Sequence, residues 1–519
     1  GYFISLYTLR RKVVERMRGK VFWVVTGVFL TILTLPYLMA WAAAGSDWVF
    51  VGFLINPLDG NSYFAKMQQG AAGEWLFRLP FTAEPGEGSF LFVFYLTLGH
   101  IARILHAPLW LVFHAARLAG ALALALTLRR FVERYHEKTT AGRLEFTFAL
   151  CLFGAGLGWL ASLGGAFTAD MWVAEAYPFF SAFVNPHFPI GLALLLILIQ
   201  KAERVSSIGE AAAAAALSAA LALIMPFGVV VLCTIQAIGI SARLVFRQKV
   251  PWLAVLASCV PGGLALVGQY LQILTHPELA QWNQQNVTLS PPAWDVVVSF
   301  SPVLVLAGMA VWRRRKSLSE LLQDPVVIWV AAGILLSILP FNLQRRFLLG
   351  LYIPLAVLAG GTAAQLAARK KTRWIRNGVL ITSIMTNVLI LLASILGAYQ
   401  HPPKLYLQTS EQAAMRWMAA NSPADSVILA SEDIGMILPG QTGRRVVYGH
   451  PYETTFAETK QRALAAFLAA PGEEMNTARE LGATLVFWGP RERQLSGIDT
   501  LPLTAVYQQD NVSIYRVEP

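Results

Sequence analysis

The chain has 519 residues, of which 56% are hydrophobic and only 14% charged, against about 25% charged in an ordinary soluble domain. Several apolar runs approach the roughly 20 residues that cross a bilayer, which excludes a cytosolic enzyme, a disordered chain and a disulfide scaffold. Residues 1–398 hold 31 Lys and Arg against 17 Asp and Glu, whereas residues 399–519 hold 10 against 13. Basic excess in a membrane region marks cytoplasmic loops, so the net charge of +11 does not point to nucleic acid. Cys151, Cys233 and Cys259 lie in apolar segments without CxxC spacing and suggest neither a metal site nor a disulfide framework.

In chain order, Arg10, Arg11, Lys12, Arg16, Arg18 and Lys20 precede a first apolar run, Val21 to Ala42. The basic flank places the N-terminus in the cytoplasm. The run is longer than a signal-peptide core, so it reads as a retained helix. The next basic cluster, Arg129, Arg130, Arg134, Lys138 and Arg143, should also be cytoplasmic, so an even number of crossings must precede it. The run 89–105, which contains His100 and Arg103, is therefore expected to lie on the outer membrane surface, and 108–128 to cross. Further spans are expected near 144–165, 184–200, 210–225, 227–242, 251–271, 296–312, 326–341, 347–368 and 377–398, about eleven in all. With this threading 25 of the 31 basic residues fall on the inside, including Arg369–Arg376. No internal repeat or inverted symmetry is visible, which argues against a transporter.

Three outer loops are expected, at 43–107, 166–183 and 272–295. The first contains Asn56-Pro-Leu-Asp-Gly-Asn-Ser-Tyr-Phe-Ala-Lys-Met67. Asp59 follows a proline turn and precedes a helix, where it would serve either as an N-cap or as a general base or metal ligand. In the second loop Asp170 and Glu175, with His187 just beyond, are candidates for acceptor contact or metal binding. Carboxylates there would suit Mg²⁺ or Mn²⁺, and His a transition metal. Between the ninth and tenth spans, Asn342-Leu-Gln-Arg-Arg-Phe347 places Arg345 and Arg346 on the wrong side by charge bias. Two guanidiniums with nothing acidic adjacent in the sequence would suit a phosphate, or would snorkel to lipid headgroups. Trp282 and Trp294 in the third loop read as interfacial anchors.

From Tyr399 the chain becomes polar. Short β-rich runs (Val427–Ala430, Arg444–Tyr448, Thr484–Trp488, Val512–Val517) alternate with helical stretches (Glu411–Ala420, Ala457–Ala470), punctuated by Pro423, Pro439-Gly440 and Pro471-Gly472. The sequence therefore divides into a transmembrane domain, 1–398, and a small extracytoplasmic α/β domain, 399–519. His450, within Thr442-Gly-Arg-Arg-Val-Val-Tyr-Gly-His-Pro-Tyr-Glu-Thr454, is a candidate ligand contact at the junction of this domain with the membrane.

A first helix, a long outer loop bearing Asp59 and Tyr63, surface helices before the second span and an outer C-terminal domain resemble the GT-C glycosyltransferases. Within these the chain is similar to bacterial members related to the protein mannosyltransferase and aminoarabinose-transferase branch, and the Thr442–Thr454 phrase resembles uncharacterised bacterial members of that superfamily. The resemblance implies a GT-C fold and transfer of a sugar from a polyprenyl-phosphate donor to a lipid-linked glycan, polysaccharide or protein acceptor, at the outer face of the plasma (inner) membrane. It also implies that Asp59 acts as base or orients the acceptor, that Asp170 and Glu175 occupy the second-loop acidic region, that Arg345 or Arg346 contacts the donor phosphate, and that Tyr63 touches substrate. Two departures stand out. Gly60 follows Asp59 where protein mannosyltransferases carry an Asp-Glu pair, and Asp170 and Glu175 form no DxD, so a divalent cation (Mg or Mn) and the acceptor stay open. The rivals are a non-catalytic GT-C-like subunit or lipid- or glycan-binding protein, and, against the scarcity of ionisable residues within the spans apart from Arg117, a flippase.

Overall fold

A computed structural model describes residues 2–136, 141–202, 204–367, 373–471 and 475–518. Of the residues named above, Lys138, Arg369, Lys370, Lys371 and Gly472 lie outside the described residues. The chain is a mostly helical, multi-pass membrane protein. Among the described residues six helices are long and apolar enough to cross a bilayer: Gly19–Ala43, Leu109–Tyr135, Pro226–Val245, Trp252–Thr275, Gln344–Ala367 and Trp374–Ala398. Two further pairs, Arg143–Phe153 with Gly158–Gly164 and Ala293–Phe300 with Val303–Arg314, are bent by 49° and 90° and raise the number to eight if each is one span. The remaining segments read as spans, His187–Lys201, Ile208–Ile224 and Pro325–Ile338, are helical but only 15, 17 and 14 residues long. They fall short of the roughly 20 residues of a full crossing. Local stops account for this. Ser207 accepts a bond from the Glu210 N–H, Asp324 accepts one from Val326, and Pro226 and Pro325 stand in the first turns of their helices.

The chain forms two compact units. The first comprises Gly1–Pro36, Ala116–Leu266 and Thr288–Ala393. Its bent span at 143–164 frees backbone groups that lipid could not satisfy, and the helix Arg373–Ala398 supplies their partners. Asn387 donates to the Phe153 carbonyl at 2.8 Å, Thr386 donates to that of Gly156 at 3.1 Å, and the Ser383 carbonyl accepts from Ala155 at 2.7 Å. The break must be glycine. A Cβ on Gly154 would fall 2.0 Å from the Tyr352 hydroxyl, and one on Gly156 2.0 Å from the Ser299 carbonyl. Arg117, within a span, is buried and donates to the carbonyls of Leu33, Ala182 and Phe183. The last two belong to the end of the helix Pro178–Val184, where unpaired carbonyls attract a cation.

The second unit is built from Tyr37–Ala115, Val267–Val287 and Ser394–Pro519. The first outer loop and the polar tail are thus packed together. Strand β1 (Trp48–Phe50) pairs antiparallel with β2 (Tyr406–Gln408). The tail holds a second sheet of β3 (Val427–Leu429), β4 (Arg445–Val446), β5 (Leu485–Trp488), β6 (Thr504–Gln509) and β7 (Val512–Arg516), in spatial order β4-β3-β5-β7-β6. Strand β3 runs parallel to β4 and β5, while β7 is antiparallel to β5 and β6. Val427, Leu429, Phe467, Val486, Trp488 and Tyr515 form its core. The sequence reading missed β6, whose residues are mostly exposed at the sheet edge, and the helix Glu432–Thr442, which contains Pro439.

Within this unit the helices Pro57–Ala72 and Val93–Leu105 cross at paired glycines. A Cβ on Gly70 would lie 2.1 Å from the Leu96 carbonyl, and one on Gly99 2.1 Å from that of Met67. Gly440 does the same for the helix Glu432–Thr442, where a Cβ would meet the Phe64 Cβ at 2.9 Å. These approaches fix the helix that carries Asp59.

Candidate functional site

In the second unit the chain enters the Pro57–Ala72 helix through Asn56, which adopts a left-handed conformation (φ 49°) and makes no side-chain cap bond. Asp59 is therefore not the N-cap. It sits inside the first turn, and its Oδ2 accepts a hydrogen bond from Asn56 Nδ2. The first turn of a helix favours a carboxylate in its charged form, and the Asp59 side chain is 31% exposed.

His450 faces this carboxylate from the tail. Its ring is buried, and Nε2 stands 3.8 Å from Asp59 Oδ1. Nδ1 accepts the backbone N–H groups of Tyr452 and Glu453, both at 3.2 Å. A nitrogen that accepts carries no proton, so in the neutral ring the proton rests on Nε2, directed at Asp59. Among the described residues Nε2 has no hydrogen-bond partner.

Two turns further along the helix, Lys66 is fully buried and donates to Glu453 Oε1 and Oε2 at 2.8 and 3.1 Å and to the Ser62 hydroxyl. Ser62 donates to Glu453 Oε1 at 2.7 Å. The Lys66 ammonium also lies 4.3 Å from the Phe92 ring centroid and 5.6 Å from that of Tyr63. Burial pushes the Glu453 carboxyl up, but Lys66, His450 and Ser62 outweigh it and hold the group below its usual value. Tyr63 stacks on Tyr95 with centroids 4.1 Å apart and planes 8° apart. The Asp59–His450 and Lys66–Glu453 pairs thus share one short stretch of the tail. A third pair, Lys460 with Glu84, is bridged by Thr82 and Thr455. Although partial burial works against it, the Glu84 carboxyl is drawn down to about 2 by Lys460 and Thr82.

In the first unit Asp170 and Glu175 do separate things. Asp170 is buried and accepts from Gly158 N (2.9 Å), Thr168 Oγ1 (2.7 Å) and Ser299 Oγ (3.3 Å). Burial nevertheless raises its pKa. Asp295, which the sequence reading did not select, joins this network by accepting from Ala169 N at 2.8 Å and Ser299 Oγ at 2.6 Å. Glu175 lies 3.3 Å from Arg346 Nη1 and 3.6 Å from Arg345 Nε. The arginines are adjacent to nothing acidic in the sequence, yet the fold gives them a carboxylate 170 positions away. Trp172 and Phe227 flank them, with ring centroids 4.9 and 5.7 Å from the Arg345 and Arg346 guanidinium carbons. His187 packs on Phe188, centroids 4.0 Å apart. Among the described residues no three His, Cys, Asp or Glu side chains form a group that could hold a metal. Asp170 accepts from hydroxyl and amide donors, and Glu175 lies against the two guanidiniums.

The chain shares its fold, a helical membrane part and an α/β unit assembled from the first loop and the tail, with a solved membrane protein of the GT-C type. The oligosaccharyltransferase of Archaeoglobus fulgidus, in complex with Zn and sulfate, superposes with a TM-score of 0.50 at 13% identity, covering 89% of this chain and 67% of that one. ArnT from Cupriavidus metallidurans bound to undecaprenyl phosphate gives 0.49 at 13%, covering 95% and 98%. AglB from Archaeoglobus fulgidus, with an inhibitory peptide and a dolichol-phosphate, gives 0.47 at 11%, covering 88% and 69%. At such identities the likeness is one of fold. No family model and no curated protein sequence matches the chain.

Proposed function

We propose that the protein is a glycosyltransferase that moves a sugar from a polyprenyl-phosphate donor to a hydroxyl of a glycan or protein acceptor, at the extracytoplasmic face of the plasma membrane. In this reading residues 1–398 form the membrane domain with a cytoplasmic N-terminus, and 399–519 lie outside with the three long loops. The observation that carries it is Asp59, a partly exposed carboxylate in a helix first turn, oriented by Asn56 and faced by a buried histidine N–H.

Asp59 accepts the acceptor hydroxyl proton as the oxygen attacks the anomeric carbon of the donor sugar. The bond from that carbon to the phosphate oxygen breaks, its electron pair leaves with the polyprenyl phosphate, and the new glycosidic bond forms with inversion. General base help of this kind is worth about 10²–10⁴-fold. His450 Nε2–H holds the carboxylate in its reactive orientation. Taken by themselves in the first unit, Arg345 and Arg346 are the groups suited to contact the donor's phosphate, since paired guanidiniums bind phosphate oxygens well. Glu175 keeps the two arginines together before the donor arrives. Asp170 supports the backbone around that segment, and Tyr63 lies one helical turn from Asp59.

The test is transfer of labelled sugar from a panel of polyprenyl-phosphate sugars by the full chain in lipid nanodiscs. Asp59→Asn is expected to lower turnover about 100-fold or more with donor binding retained, and Arg346→Gln to weaken donor binding. No transfer from any donor by the unmodified protein, with lipid phosphate still bound, would replace this reading by a binding subunit of the same fold.

A further inference from the structure

Away from Asp59, the second unit contains a cavity of about 380 Å³, within the range of small-ligand pockets. Its distinctive walls are Trp41, Trp48 and Trp110 together with Gln68, Gln412 and Gln441, and no ionisable side chain lines it. Trp41 ends the candidate span Gly19–Ala43 and Trp110 begins Leu109–Tyr135, so the cavity lies at the level of the membrane–water interface. Tryptophans there are commonly lipid anchors, but an anchor does not need to enclose a space.

The walls are held in place before any ligand arrives. The Trp41 ring lies edge-on to Phe50 at 5.4 Å and 5.1 Å from Trp110, and Trp48 stacks on His401 at 5.2 Å and 6°. His401 is in turn fixed to the Ala43 carbonyl at 2.7 Å. Such preorganisation lowers the entropy lost on binding. Unused hydrogen-bonding groups remain. Among the described residues none of the three indole N–H groups and neither end of the Gln441 amide has a protein partner. Gln68 uses only its amide nitrogen, on the Gly440 carbonyl, and Gln412 only its oxygen, accepting from Arg416.

The chemistry narrows the occupant. A phosphate, sulfate or uronate would find no counter-charge. A prenyl or acyl chain would strand the amides without partners, at a desolvation cost of about 1–3 kcal/mol each. Flat aromatic faces combined with neutral donors and acceptors match a pyranose ring, which offers apolar C–H faces and a rim of hydroxyls. We propose that this cavity binds a short neutral glycan. On the transferase reading, on which this last step rests, that glycan is part of the acceptor, held at a distance from the reacting hydroxyl.

The probe is a panel of neutral methyl disaccharides (gluco-, galacto-, manno- and N-acetylglucosamine-containing), added to the full chain in nanodiscs free of sugar detergents. Tryptophan fluorescence and saturation-transfer NMR read the binding. At least one disaccharide should saturate, and Trp48→Ala and Gln441→Leu should each weaken it about tenfold. A uronate-containing analogue should bind more weakly, and Asp59→Asn should leave binding unchanged. Gln441→Leu serves where Trp48→Ala disturbs folding. The proposal is overturned if no neutral disaccharide saturates, if both variants bind as the unmodified chain does, or if farnesol displaces the sugar's signal and binds more tightly. The two readings separate cleanly. Saturable binding without transfer from any donor sinks the transferase and keeps the glycan site, whereas transfer with an acceptor KM unmoved by Gln441→Leu sinks the site alone.

Discussion

Replacing Lys66 by Met isolates the electrostatics under the candidate base. Lys66 is fully buried and Glu453 nearly so, and the ammonium bridges both carboxylate oxygens. Removing one partner of a buried pair leaves the other charge uncompensated, at about 3–5 kcal/mol, because the Ser62 hydroxyl alone cannot replace a cation. The sign of the acid response should invert. In the unmodified protein the Glu453 carboxyl is held below its usual value, so its contribution is present above the unfolded pKa and is lost as pH falls through the folded one. Without Lys66, burial dominates and raises that carboxyl, so the variant is least stable at neutral pH and recovers as the solution is acidified toward pH 5. Hydrogen exchange of residues 57–72 and 445–456 in nanodiscs reads this directly. Opening of those segments should become roughly 150- to 5,000-fold more frequent at pH 7, and the gap should narrow on acidification. The double change Lys66→Met with Glu453→Met should restore much of the loss. Equal protection in Lys66→Met and the unmodified chain, with parallel pH profiles, would refute the argument.

Gly70→Ala and Gly99→Ala should each loosen the crossing of the Pro57–Ala72 and Val93–Leu105 helices by about 1–3 kcal/mol, since the added methyl meets backbone carbonyls that cannot swing away. Accelerated exchange confined to 57–72 and 93–105 would report it, and unchanged exchange would show that the helices separate at no cost. For the Lys460–Glu84 pair, the Glu84 carboxyl at about 2 means a stabilisation present above roughly pH 4.5 and lost between there and pH 2. Lys460→Met should remove that acid-dependent component from residues 82–84 and 455–460. An identical acid profile in the variant would show that Thr82 and Thr455, not the lysine, hold the carboxylate.

The membrane part and the α/β tail could be read from the sequence because their signals are local. An apolar run, a basic flank or a β-rich run between Gly and Pro is visible within a window of about 20 residues. Asp59 and the Arg345–Arg346 pair stood out for the same reason, as short polar phrases next to spans. Which residues would pair with which could not be read. His450 stands 391 positions from Asp59, and Glu453 387 from Lys66; no spacing rule links residues so far apart. Lys66 did leave a trace. It lies between Ala65 and Met67 on the buried side of its helix, where a lysine demands a carboxylate from elsewhere. The three shorter helices and two bent spans escaped hydropathy for a different reason, since caps and close backbone approaches, not apolar content, end or bend them. Asp295 closes the third outer loop, at the edge of a span, and nothing local ties it to Ala169, 126 positions away.

The pairing of β1 with β2 has a consequence for biogenesis. Trp48–Phe50 emerges from the ribosome roughly 350 residues before its partner Tyr406–Gln408. At about 5–20 residues per second that is an interval of roughly 20–70 s. Through it the strand has an open edge, and the helix bearing Asp59 lacks both His450 and the carboxylate for Lys66. Until translation ends, an exposed strand and a lysine without its counter-ion have to be tolerated or shielded. Premature termination anywhere before Ser394 would therefore leave an inserted chain whose first loop lacks its partner strand and its counter-ions, an obvious mark for quality-control proteolysis.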